Sequence, residues 1–268
     1  MRLFIFSLFF FSFLVSCENN EKKSTKGLQT TSEEKIKKTD KEKLNDSIPY
    51  RFYDEIVLEY DNNESLLEGN SLTYAEGDIE KDVTIFLDPS SKQKLKMAYT
   101  IKNTSSLYKE IFTFYFLNEK TICSKKRSSS IDDIATYLTE TISYYDSTGV
   151  FLSRKKSGII DNFNRSNHKT CEKQFHSHKE AEDILVQTGK YETRFKSILK
   201  HEKDYYLIVG ENKKNGVHAV LNVINPNADF LNLDKKKNIG KKLTLQFDKT
   251  KNEDDWFQKL NSFEFEKN

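Results

Sequence analysis

Between Ile56 and Phe247 apolar side chains keep returning at every second position, and a chain patterned this way can bury them only by forming sheet. Ile56, Leu58 and Tyr60 alternate with Val57 and Glu59, and Val83, Ile85 and Leu87 alternate with Thr84, Phe86 and Asp88. Further period-two runs occupy 97–101, 111–117, 139–145 and 243–247. Successive residues of a strand face opposite sides, so these runs read as half-buried antiparallel strands. Turn residues punctuate them at Glu76-Gly77-Asp78, Asp88-Pro89-Ser90, Asp146-Ser147-Thr148-Gly149 and Lys213-Lys214-Asn215-Gly216. Asn-Gly tolerates the positive φ of a tight hairpin, which predicts that 205–211 and 217–224 pair across it.

One segment departs from this period. Ser177-His178-Lys179-Glu180 matches a capping box, and Ile184, Leu185, Thr188, Tyr191, Phe195, Ile198 and Leu199 follow at helical spacing. Gly189 weakens that helix by about 1 kcal/mol relative to Ala and marks a bend. The expected fold is therefore mainly β (α+β): an antiparallel β-sheet domain over 50–177, one linking helix at 178–202, and a small C-terminal β barrel or sheet over 203–268. In that last part Ile239-Gly240-Lys241-Lys242 leads into a strand, and Trp256-Phe257 leads into Phe263 and Phe265. The pattern suggests a small OB-like or SH3-like barrel.

The N-terminus is of a different kind. Arg2 precedes an apolar run of 13 residues, Leu3 to Val15, broken only by Ser7 and Ser12. A bilayer span needs about 20 such residues, so 1–16 reads as a signal peptide. Leu14-Val15-Ser16-Cys17 resembles the lipobox of bacterial lipoproteins. The resemblance implies a diacylglycerol thioether on Cys17, cleavage before it, and acylation of the new amine. It covers residues 1–17 alone. Glu18, in place of the Asp associated with inner-membrane retention, leans toward the outer membrane, and Glu18-Asn19-Asn20-Glu21-Lys22-Lys23 loosely resembles surface-export tags. Two or three acyl chains on one residue anchor firmly, where one binds only marginally. Residues 18–49 then hold eight Lys, seven Asp or Glu and no aromatic. Such a composition is expected to stay disordered, giving with Cys17 a tether over 17–49 that reaches about 30 Å. All aromatic residues outside the signal lie after Pro49, where a core can form.

With Cys17 lipidated, Cys123 and Cys171 remain. In an oxidising compartment an even pair is a disulfide candidate, and a bridge closing 48 residues would stabilise by about 4 kcal/mol in the chain-entropy model. His168, Cys171, His176 and His178 form a competing cluster, because imidazole and thiolate are zinc ligands. Their spacing matches no familiar structural zinc pattern, and surface His in a loop explain them equally well. Three basic triplets, 125–127, 154–156 and 235–237, are expected at strand ends or loops, as solvated turns or as contacts to headgroup phosphates.

The balance of 43 Lys and Arg against 41 Asp and Glu does not point to nucleic acid. No short catalytic motif and no cofactor motif is present. The leading expectation is a non-enzymatic binding or interaction module of the envelope, lipid-anchored, with a protein, glycan or lipid as ligand. A second is an envelope hydrolase or metal-binding protein using the histidine cluster. A third is a structural or assembly-factor lipoprotein without a ligand.

Overall fold

A computed structural model describes residues 50–131, 135–251 and 256–266. Cys17, the signal peptide and the tether lie outside them. The described chain opens with helix α1 (Tyr50–Asn62) and continues through β1 (Leu67–Asn70), β2 (Tyr74–Glu76), β3 (Ile79–Leu87), β4 (Lys94–Asn103), β5 (Lys109–Leu117), β6 (Lys120–Ile131), β7 (Thr136–Asp146) and β8 (Gly149–Ile159). Next come α2 (Ile160–Phe163), β9 (Lys169–Cys171), α3 (Lys179–Leu185), β10 (Phe195–His201), β11 (Asp204–Gly210) and β12 (His218–Val223). Two short helices, α4 (Ala228–Leu231) and α5 (Lys235–Asn238), lead to a last hairpin, β13 (Leu243–Lys251) and β14 (Trp256–Phe265). The protein is mainly β. No helix among the described residues is long and apolar enough to cross a membrane.

The main path of the sheet runs β10-β11-β12-β2-β3-β4-β5-β6-β7-β8-β9. Its ladders are antiparallel except for a single parallel contact between β12 and β14, at Asn222 and Lys259. The two strand groups expected as separate domains thus share one open sheet, joined where His218 and Ala219 of β12 pair with Ala75 and Tyr74 of β2. Of the C-terminal barrel or sheet expected, the sheet is what forms: β10, β11 and β12 continue the main path, and β13 and β14 make a hairpin beside it. Turn chemistry fixes several registers as the sequence predicts. Gly77, at φ +60°, closes β2 onto β3, and Asp88 Oδ1 accepts the backbone N–H groups of Ser90 and Ser91 between β3 and β4. Across the Asn-Gly loop, Gly210 pairs with His218.

Alternation divides the sheet into two faces with separate cores. Along one face Val83, Met97, Tyr99 and Phe114 join Leu207, Leu221 and Phe195 in the larger core, which α3 and the base of the β13–β14 hairpin cover. On the other face Tyr115, Cys123, Ile142 and Tyr144 meet α1. The predicted strand over Ile56–Tyr60 is thus a helix. Tyr53, Val57 and Tyr60 are its buried residues, a spacing of four and three that a helix places on one side and a strand cannot. Two buried sheet tyrosines find acceptors on it: Tyr144 OH donates to Asp54 Oδ1 at 2.7 Å, and Tyr115 OH donates to Asp61 at 3.0 Å. Lys96 and Lys125 add ion pairs to Asp61.

The linking helix begins where expected and stops early. It spans Lys179–Leu185, followed by a 3-10 turn at Gly189–Tyr191, and Phe195, Ile198 and Leu199 belong to β10. Ile184, Tyr191 and Phe195 all reach the larger core, which imitates helical spacing without a helix between them. The capping box does not form either. His178 holds the cap position without a side-chain bond, and Glu180 turns to the sheet. There it accepts from Lys81 Nζ at 2.8 Å, from Tyr99 OH at 2.7 Å and from Tyr191 OH. Charge-assisted bonds of this kind are stronger than a neutral capping bond.

Two basic triplets expected at strand ends lie mid-strand, and their side chains alternate between faces. Lys125 pairs with Asp61, Lys126 with Glu110, and Arg127 and Lys156 with Glu140. The third triplet makes up most of α5. The disulfide is overturned by topology. Cys123 aligns with Tyr144 and Leu152, whereas Cys171 aligns with Ser153 and Ser143, so the two thiols sit on opposite faces. β6 and β9 are three ladder steps apart, about 14 Å at the usual strand spacing, against the roughly 7 Å limit between Cα atoms for a bridge. Both cysteines are free, Cys123 fully buried and Cys171 partly exposed. Burial also pushes the Cys123 thiol far up, out of the reactive thiolate range. A native alkylating pulse on the described body should therefore label Cys171 alone, and Cys123 should react only after denaturation. Intact mass that shows no second free thiol after unfolding would contradict this topology.

Candidate functional site

An extended concave surface arises where the sheet forks. One side of β12 is shared by two partners, with β2 pairing at its start and β14 touching it at Asn222. Between those contacts the backbone has no strand to pair with. Gln258 of β14 fills the gap with its side chain: Oε1 accepts from Thr73 N–H at 2.7 Å, and Nε2 donates to Thr73 O at 3.3 Å and to Val220 O at 3.2 Å. A primary amide carries one acceptor oxygen and two donor hydrogens, so it can stand in for the missing ladder. Gln258 is 8% exposed, and at that burial three unmet backbone groups would cost about 1–3 kcal/mol each.

The fork sends the hairpin across the edge of the sheet. Leu243, Leu245 and Phe265 at its base pack into the larger core. The far end of β13 stands beside β3 on the α1 face, where Lys249 Nζ donates to Asp82 Oδ2 at 2.7 Å. Between these hairpin strands and the sheet lies a cleft of about 660 Å³, floored by Glu80, Asp82, Thr100 and Lys102 and walled by Asn70 and Trp256. A second hollow of about 540 Å³ continues over β11 and β12 past Tyr206, His218 and Asn222. The two share Thr73, Glu80, Trp256, Phe257 and Gln258, and so form one groove. Each part lies within the roughly 300–1,000 Å³ usual for ligand sites.

Its chemistry is mixed and charge-balanced. Asp82 is paired with Lys249, and Glu80 approaches Lys102 at 3.7 Å. Asn70 bridges neighbours, accepting from Thr84 Oγ1 at 2.8 Å and donating to Glu68 Oε1 at 3.0 Å. Trp256 is the single tryptophan of the chain and is 68% exposed at the rim. A ring of that size left open to solvent, beside polar groups already held in place, is an arrangement suited to contact with something other than the chain itself.

None of the candidate site residues Cys123, His168, Cys171, His176 and His178 lines this groove. The histidine cluster is dispersed. His168 Nε2 lies 3.0 Å from Glu140 Oε1 on the α1 face, while His176 Nδ1 lies 2.9 Å from Ser124 Oγ on the other. His176 also meets the Phe112 ring edge-on, and His178 sits against Phe114 and Phe116 with Glu182 beside it. Among the described residues no group of three His, Cys, Asp or Glu side chains converges as a metal site would. Trp256 was visible in the sequence only as an aromatic at a strand start, and Gln258 gave no signal, because its role depends on a fork that no local pattern encodes.

Two groups near α3 make stability depend on pH. Burial pushes His176 down to about 4, with Lys126 acting the same way and Glu110 opposing. For Glu180 partial burial raises the carboxyl, but the bonds from Lys81, Tyr191 and Tyr99 outweigh it and hold it at about 2. Both folded values lie below the unfolded ones of about 6.5 and 4.3, so each contribution is whole at neutral pH and is lost as acid is added. For His176 the loss runs from about pH 6.5 to 4, and for Glu180 from about 4.3 to 2. The melting temperature should fall through both windows. Glu180→Gln should lower it at pH 7 and flatten the lower window, with each kcal/mol lost moving the midpoint by about 2–4 °C at this size. A wild-type midpoint that stays level between pH 7 and 4 would contradict the burial of His176.

Comparison of the chain with protein-family models, with curated proteins and with solved structures returns no match.

Proposed function

We propose that the protein is a lipid-anchored binding module of the bacterial cell envelope, held through Cys17 and presenting the forked-sheet groove to a ligand. The observation that carries the binding reading is the groove itself, with Trp256 exposed on its rim and Asp82 and Glu80 engaged by lysines. Paired in this way, Asp82 and Glu80 are fixed hydrogen-bonding groups, which suits recognition. The lipobox-like Leu14-Val15-Ser16-Cys17 supports the anchor, and Glu18 favours the outer membrane, at its periplasmic face or at the cell surface. The charged tether supplies reach, so that the body can meet a ligand away from the headgroups. No nucleic acid and no cofactor enters this reading.

One fractionation experiment tests both parts. Cys17→Ser should leave the membrane fraction or accumulate as unprocessed precursor. Thr100→Trp, which fills the floor of the groove, should stay on the membrane and melt within a few degrees of the wild type. After solubilisation, however, it should bind isolated envelope material at least about tenfold more weakly, equivalent to 1.4 kcal/mol. A Cys17→Ser chain that is cleaved and still membrane-bound overturns the anchor. Undiminished binding by Thr100→Trp overturns the groove as the ligand face.

A further inference from the structure

Resting on that reading of the groove, we propose that its ligand is an uncharged oligosaccharide, with Trp256 as the platform for a sugar ring. A pyranose presents a patch of C–H bonds on its face and hydroxyls around its rim. It therefore asks for two things together: a flat exposed aromatic, and polar side chains offering both donors and acceptors at the level of the ring. Trp256 supplies the first. Asn70, Asp82, Thr100 and Lys102 supply the second, and most of them are already held by bonds to their neighbours. Side chains ordered in advance lose little entropy on binding.

Charge selects against the main alternatives. Glu68, Glu80 and Asp82 face Lys102, Lys109 and Lys249, while the remaining lysine of the cleft, Lys81, is paired with Glu180 on the opposite face of the sheet. A polyanion or a polycation would find no excess of opposite charge. An extended peptide added to the sheet would need unpaired backbone groups. At the fork those groups, Thr73 N–H and the carbonyls of Thr73 and Val220, are already occupied by Gln258.

Because Trp256 is the single tryptophan of the chain, its emission reports on this groove alone. The full chain in a non-glycosidic detergent is titrated with maltohexaose, cellohexaose and N-acetylchitohexaose, with calorimetry alongside. At least one should shift the emission saturably. Trp256→Ala should weaken that binding by about tenfold or more, and Trp256→Phe, which keeps a flat ring, should retain it within about tenfold. A parallel panel of unstructured peptides separates the two levels of the reading. A saturable response to peptides but to no sugar overturns the oligosaccharide and leaves the groove as the binding face. A response to neither overturns both, and sugar binding that survives Trp256→Ala unchanged overturns the platform.

Discussion

Gln258 stands at the point where one sheet has to serve two partners. β12 begins beside β2 and ends beside β14, and two strands that diverge from a shared neighbour must leave backbone groups without partners between them. Buried backbone groups almost always find a partner, and here a single side-chain amide meets three of them. Much of the surface follows from this. With the gap closed, the hairpin strands can pass from the larger core at their base to the α1 face, where Lys249 reaches Asp82 and Trp256 stands over the cleft. A barrel would have hidden that edge; a forked sheet leaves a groove.

The rest of the body is held by a repeated device in which carboxylates from outside the sheet accept from phenols and ammonium groups within it. Asp54 and Asp61 of α1 take Tyr144 and Tyr115, and Glu180 of α3 takes Tyr99 and Lys81, with Tyr191 of the 3-10 turn as a further donor from outside the sheet. Each helix covers an apolar patch and each is oriented by these bonds. A tyrosine in a core needs a partner for its hydroxyl, so a fold rich in buried tyrosine calls for acids at its covering helices. The same requirement explains why Glu180 abandons the cap that its position suggests.

The strands were legible in the sequence because a half-buried strand writes its own pattern, and β3, β4, β5, β7 and β13 lie where alternation places them. Sequence and structure part where one pattern fits two geometries. Ile56, Leu58 and Tyr60 alternate, yet Tyr53, Val57 and Tyr60 are the residues that α1 buries. Phe195 and Ile198 continue the spacing of α3 across a turn and into β10. Lys125 and Lys126 looked like turn residues because β6 is lined with ion pairs on both faces, and charge paired in the fold reads as solvated charge in the sequence. Cysteine parity suggested a bridge, but the separation of Cys123 and Cys171 is set by two intervening strands that no count of thiols reveals. The groove was the least legible feature, since its residues come from strands as distant in sequence as β1, β3, β4, β12 and β14 and meet only after the fork has formed.

Amide hydrogen exchange on Gln258→Leu bears most directly on that fork. The substitution keeps the bulk of the side chain and removes the donors and the acceptor. If Gln258 closes the gap, protection should fall at Thr73 and Tyr74, around Val220 and along β14, while β6, β7 and β8 exchange as in the wild type. Protection unchanged at Thr73 and Val220, or lost evenly across the whole sheet, would show that the amide does not hold the fork.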